Sequence, residues 1–155
     1  MNQETQETHN TIMVVEDNPA DLWLVREALK AQRVHCVVHP VPDGEQALNL
    51  INSEESLVDL FILDMHLPKH DGEEILTCLR ATKRYARTPV IMMTALESSM
   101  GAATAAHSPT MAYFPKPSTL DEFMELGRIV VALLEQDHRL NATAETTTET
   151  SRGIL

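Results

Sequence analysis

Positive charge is what this chain has least of. Lys and Arg total 12 against 23 Asp and Glu, a formal net charge of -11. Nucleic acids and anionic membranes both select basic surfaces, so this balance argues against either as a partner. The single basic cluster, Lys83, Arg84 and Arg87, reads as solvated surface at a helix end. Cysteine is nearly absent as well. Cys36 and Cys78 lie inside apolar segments without metal-like spacing, and read as small core residues in a reducing compartment. No apolar run approaches the roughly 18 residues of a membrane span. The opening MNQETQETHNT is polar and acidic where a secretory leader would be apolar. A cytoplasmic protein is expected. Metal-binding spacing is missing among the histidines too: His35/His39 and His66/His70 stand four apart, but one pair falls in a strand and the other in a Pro-containing loop. Zinc takes three or four ligands, so these pairs read as surface histidines.

What is present is an alternation of short apolar runs and helical patterns. With 155 residues and 43% hydrophobic content, the chain suits one globular core. IMVV (12–15), HCVVHPV (35–41), LVDLFIL (57–63), PVIMM (89–93) and MAYF (111–114) read as strands, with Pro40 marking an edge. Asn18, Asp43, Ser118 and Thr119 are placed to cap the helices between and after them, Pro19 suits a first helical position, and Asp21 favours the helix dipole. Met92, Met93, Met100 and Met111 read as core filling. Residues 97–108 are small, polar and weakly periodic. Five strands separated by helices predict a parallel sheet covered on both faces. A flexible tail is expected at 1–10, one domain over 11–138, and a second flexible tail at 139–155.

In such a sheet ligands bind beyond the carboxyl ends of the strands. The residues falling there are Glu16 and Asp17 after the first strand, Asp64 after the third, Thr94 after the fourth, and Lys116 with Pro117 after the fifth. Asp64 ends the apolar run LFIL, where a carboxylate is costly without a compensating cation. Each residue alone has an ordinary reading as a strand end, a turn cap or a surface lysine; their joint placement is what points to a site. Three carboxylates gathered together call for a hard cation such as Mg²⁺, which takes six oxygen ligands at about 2.0–2.1 Å. An Asp nucleophile, Mg²⁺ and an ammonium group make up a phosphoryl-transfer site.

VVEDN, FILDMHLP…DG, MMTA and FPKP, in this order and spacing, resemble the receiver domain of two-component response regulators. EDNPADLWLVREALK further resembles the single-domain regulators paired with phytochrome-like histidine kinases. The resemblance implies a flavodoxin-like (CheY-like) three-layer α/β sandwich with a five-stranded parallel sheet in the order 2-1-3-4-5. It implies that Asp64 accepts a phosphoryl group from a kinase histidine. Glu16, Asp17, Asp64 and the backbone carbonyl of His66 would hold Mg²⁺. Thr94 and Lys116 would contact phosphoryl oxygens, and the Lys116–Pro117 peptide would be cis. Tyr113 occupies the family's aromatic switch position, though an ordinary half-buried strand aromatic explains it equally. The implied partners are a sensor histidine kinase or phosphotransfer protein, a downstream protein, and a second copy docking through the last helix–strand–helix face.

The chain departs from the family pattern at Ser108, Pro109 and Thr110, where a Gly-Ala-Asp-like stretch is common, and at Leu96, where polar residues are frequent. Apolar Leu96 predicts a longer-lived phosphoryl group. Residues 139–155 are too few for a DNA-binding or enzymatic domain, so output through protein contacts is expected, from a signalling phosphoacceptor rather than an enzyme. Two other readings stay open. A pseudo-receiver would bind partners without phosphorylation, yet would be expected to lose the acidic pair or the acceptor. A phosphohydrolase with an aspartyl-phosphate intermediate would be expected to carry a second Asp where His66 stands.

Overall fold

The computed structural model describes residues 9–53, 57–94 and 110–152, with side chains as far as residue 143. Its elements alternate as β1 (Asn10–Val15), α1 (Pro19–Ala31), β2 (Cys36–Val41), α2 (Gly44–Asn52), β3 (Leu60–Asp64), α3 (Gly72–Ala81), β4 (Val90–Thr94) and β5 (Met111–Pro115), and a C-terminal helix spans Leu120–Arg152. The caps work as their residue types demand. Asn18 Oδ1 accepts from the Ala20 N–H at 3.0 Å, Asp43 Oδ1 from the Gln46 N–H at 2.8 Å, and Thr119 Oγ1 from the Glu122 N–H at 3.3 Å. The Glu122 carboxylate returns to the Ser118 N–H at 2.8 Å, so the two overlapping capping signals are used as one.

The five strands pair in parallel in the order β2-β1-β3-β4-β5. Pro40 lies on β2, the edge, where its missing N–H costs no ladder bond. β3 and β4 are buried along their whole length because helices cover both faces. Alternate residues therefore feed two cores. Ile12, Val14, Leu60, Ile62, Ile91 and Met93 pack under α1 and the C-terminal helix. Met13, Val15, Phe61, Leu63, Val90 and Met92 pack under α2 and α3. α1 and the C-terminal helix approach closely at Gly127, where a Cβ would lie 2.5 Å from the Ala28 carbonyl oxygen. No helix among the described residues is long and apolar enough to cross a membrane.

Three expectations are corrected. Residues 139–152, expected as a flexible tail, continue the C-terminal helix to Arg152. From Arg128 to Arg152 the chain has neither Pro nor Gly, so nothing in the sequence stops the helix. The side chains of 138–143 are all exposed and add nothing to the core. No cis peptide bond occurs among the described residues, so Lys116–Pro117 is trans, the lower-energy isomer even before proline. Arg84 is not a freely solvated helix-end charge. Its guanidinium donates to the carbonyls of Ile51, at 2.6 Å, and Ser53, and lies 4.7 Å from the Tyr85 ring centroid. The carbonyls at the end of α2 have no intrahelical donors, and a planar fork of N–H groups is suited to them. The N-terminal tail through residue 8, Leu96, Met100, Ser108, Pro109 and the segment 97–108 lie outside the described residues.

Candidate phosphoacceptor site

The site grows from how three parallel strands end. β3 carries its last residue, Asp64, to the rim still 2% exposed, and β1 delivers Glu16 at 3%. Register sets Asp64 opposite Met93, so Thr94 comes one step further out on the neighbouring strand, buried at the same rim. The Lys116 N–H donates to the Thr94 carbonyl at 2.6 Å, which fixes where the lysine leaves β5. Beneath the loop after β3, the Gly72 N–H donates to the Met65 carbonyl at 3.3 Å. A Cβ at Gly72 would lie 2.7 Å from the Asp64 carbonyl oxygen, so glycine is what lets α3 begin this close to Asp64.

Asp64 uses both oxygens: Oδ1 accepts from the His66 N–H at 2.9 Å and Oδ2 from Lys116 Nζ at 2.8 Å. Lys116 Nζ also lies 2.9 Å from Asp21 Oδ2 and 3.4 Å from each Glu16 oxygen. Glu16 Oε1 in turn accepts from the Asn18 N–H at 3.1 Å. The electrostatics follow from that crowding. Burial pushes the Glu16 carboxyl up to about 7, opposed by the Asn18 N–H and reinforced by the Asp64 charge, with Lys116 pulling the other way. Burial alone would lower Lys116, but its hydrogen bonds to Asp64 and Asp21 outweigh that and hold the ammonium above its usual range.

Glu16, Asp17 and Asp64 each offer a carboxylate oxygen, and these atoms lie within 4.8 Å of one another. Lys116 meets three carboxylates, those of Glu16, Asp21 and Asp64, and Asp17 adds a fourth beside Glu16 and Asp64, so the cluster has room for further positive charge. An all-oxygen donor set of this kind suits a hard divalent ion such as Mg²⁺. Of the residues singled out by sequence, Glu16, Asp17, Asp64, Thr94 and Lys116 come to one rim, and the His66 N–H joins them while its ring stays exposed. Tyr113 stands on the α3 side of the sheet, half-buried against the second core, its phenol pushed up by burial and by the Glu73 charge. Asp21 is the residue that sequence reasoning missed. Its position in the first turn of α1, just past the acidic pair, was the available signal.

A family model described as the response regulator receiver domain matches residues 12–128. The chain belongs to this family. The receiver is 33% identical over 129 residues to the transcriptional regulatory protein CpxR of Escherichia coli, an alignment covering 83% of this chain and 51% of CpxR. It thus spans about half the length of the curated relatives it matches first. Among solved structures it is similar to the phosphorylated cyanobacterial phytochrome response regulator RcpA, with a TM-score of 0.67 and 30% identity over 79% of this chain and 91% of RcpA. It is also similar to the receiver domain of the sensor histidine kinase PA1611 from Pseudomonas aeruginosa, whose active-site cleft coordinates magnesium. There the TM-score is 0.65 and the identity 27%, over 83% of this chain and 99% of that one.

Proposed function

We propose that this receiver is a cytoplasmic phosphoacceptor that takes a phosphoryl group onto Asp64 from a sensor histidine kinase or a phosphotransfer protein. The observation that carries the reading is a buried Asp64 carboxylate 2.8 Å from an ammonium and within 4.8 Å of two further acids. A carboxylate oxygen of Asp64 forms a bond to phosphorus while the phosphorus–nitrogen bond of the donor breaks, and the imidazole keeps the electron pair. Lys116 pairs with a phosphoryl oxygen and Thr94 hydrogen-bonds another. Glu16, Asp17, Asp64 and the His66 carbonyl would hold Mg²⁺, whose charge offsets that of the phosphoryl oxygens.

Movement of Thr94 and Tyr113 on phosphorylation would shift a two-state equilibrium that partners read. The likeness to RcpA favours a phytochrome-like kinase as donor and output through protein contacts: a downstream protein, or a second copy docked on the face formed by β5 and the C-terminal helix. Catalysis is confined to the chain's own phosphorylation and slow dephosphorylation. The test is acetyl phosphate or beryllofluoride with Mg²⁺, followed by mapping of the adduct. A single adduct on Asp64, lost in Asp64→Asn and on chelation of the metal, is expected. No adduct under any of these conditions would replace this reading with that of an unphosphorylated interaction module.

A further inference from the structure

Lys116 has three N–H donors and a flexible four-carbon stem, so what holds it in place matters as much as where it points. Two of its partners, Asp64 and Glu16, belong to the reacting group and the acidic set beside it. The third does not. Asp21 Oδ2 lies 2.9 Å from Nζ, as near as Asp64 at 2.8 Å and nearer than Glu16 at 3.4 Å. Its side chain is 18% exposed against 30% for Lys116, so the pair is partly shielded from water. Asp21 also rides on a rigid support. Pro19 opens α1, Asn18 caps it, the Leu22 N–H donates to the Asn18 carbonyl at 3.1 Å, and Val25, Ala28 and Leu29 bury the helix.

We propose that Asp21 is a positioning residue for Lys116: from a fixed point on α1 it anchors the ammonium over Asp64 before and during phosphoryl transfer. The inference rests on the phosphoacceptor reading above and deepens it. When an Asp64 oxygen bonds to phosphorus, that oxygen ceases to be a carboxylate anion and Lys116 loses its nearest partner. Glu16 would be engaged in holding the metal ion. Asp21 is then the acid left to keep the ammonium at the phosphoryl oxygens without taking part in the chemistry, which places its effect on the rate of transfer.

A double-mutant cycle on the full chain separates this role from a merely structural one. Rates of phosphorylation by acetyl phosphate with Mg²⁺ are measured for the wild type, Asp21→Ala, Asp21→Asn, Lys116→Ala and the double variant Asp21→Ala/Lys116→Ala. Asp21→Ala is expected to slow phosphorylation about tenfold. Asp21→Asn, which still accepts an N–H bond, recovers part of the loss. In the Lys116→Ala background the effect of Asp21→Ala falls to about onefold, because there is no ammonium to position. An undiminished loss in that background, or no loss in the single variant, overturns the proposal. If the wild type takes no phosphoryl group, the phosphoacceptor reading fails instead, and side-chain NMR relaxation at Lys116 Cε decides the positioning. A more mobile Cε in Asp21→Ala supports it, and unchanged order refutes it.

Discussion

Two half-buried cations sit at opposite ends of the same sheet and have been given opposite kinds of partner. Lys116, just past the carboxyl end of β5, meets the carboxylates of Asp64, Asp21 and Glu16 at 2.8, 2.9 and 3.4 Å. Arg80, in the last turn of α3, donates to the carbonyls of Thr88, Tyr85 and Ala86 at 2.8, 3.2 and 3.3 Å and to the Thr110 hydroxyl at 3.3 Å, beside the amino ends of β4 and β5. Burial lowers Arg80, since its partners carry no charge to oppose it, whereas the acids hold Lys116 high. At the Arg80 end every acceptor shown is neutral, so the guanidinium spends its donors on backbone and hydroxyl oxygens and gathers no surplus of acids: the arginine ties α3 to the segments entering two strands. At the Lys116 end negative charge exceeds positive, and the surplus is what a divalent metal ion can use. A half-buried cation is therefore no sign of function in itself. The charge of what surrounds it decides.

Exchanging the two losses would break that contrast if it is wrong. Lys116→Met should slow Asp64 phosphorylation by about 100- to 1000-fold, the usual loss for one preorganised donor at a developing charge. Arg80→Met should leave the rate within about twofold and instead lower stability by about 2–3 kcal/mol, because several carbonyls lose their donor together. Rates with acetyl phosphate and Mg²⁺, set beside urea denaturation of the same proteins, read both axes. Slowing of transfer by Arg80→Met to the level of Lys116→Met would mean that the two ends are coupled and the division of labour is false.

Much of this contrast is legible in the sequence, and the reasons are physical. Strands β3 and β4 announce themselves because a sheet covered on both faces demands unbroken apolar runs, and Asp64 stands out because it ends one of them. Asn18, Asp43 and Thr119 are readable as caps because capping is a local bond. What stays hidden is whatever depends on a distant partner. Asp21 looks like a helix-dipole residue until β5 brings Lys116 against it. Arg84 looks solvated because a basic helix end has the same composition whether it faces water or the carbonyls of Ile51 and Ser53. The side chains of 139–143 are all exposed, so this stretch of the helix lacks the apolar period by which helices are recognised, and the Thr/Glu-rich sequence reads as a tail.

The smallest expected effect sharpens the comparison through pH. Glu16, buried and close to Asp64, is pushed from an ordinary value near 4.5 up to about 7. A raised carboxyl binds its proton more tightly in the folded state than in the unfolded chain. Its contribution to stability is therefore fully present below about 4.5 and is lost as pH rises through about 7. Metal binding runs in the opposite direction, because an oxygen ligand must give up its proton first. Between pH 6 and pH 8 the affinity for Mg²⁺ should rise by about tenfold, while the stability of the metal-free protein should fall over the same interval. Calorimetric Mg²⁺ titrations and melts in chelator at the two pH values check both slopes. Glu16→Gln should flatten both. Arg80→Met, which alters no carboxylate at the metal end, should keep both slopes while lowering every melt by the same amount. An Mg²⁺ affinity that does not change with pH would show Glu16 already ionised, and its burial would then take nothing from the negative charge at this rim.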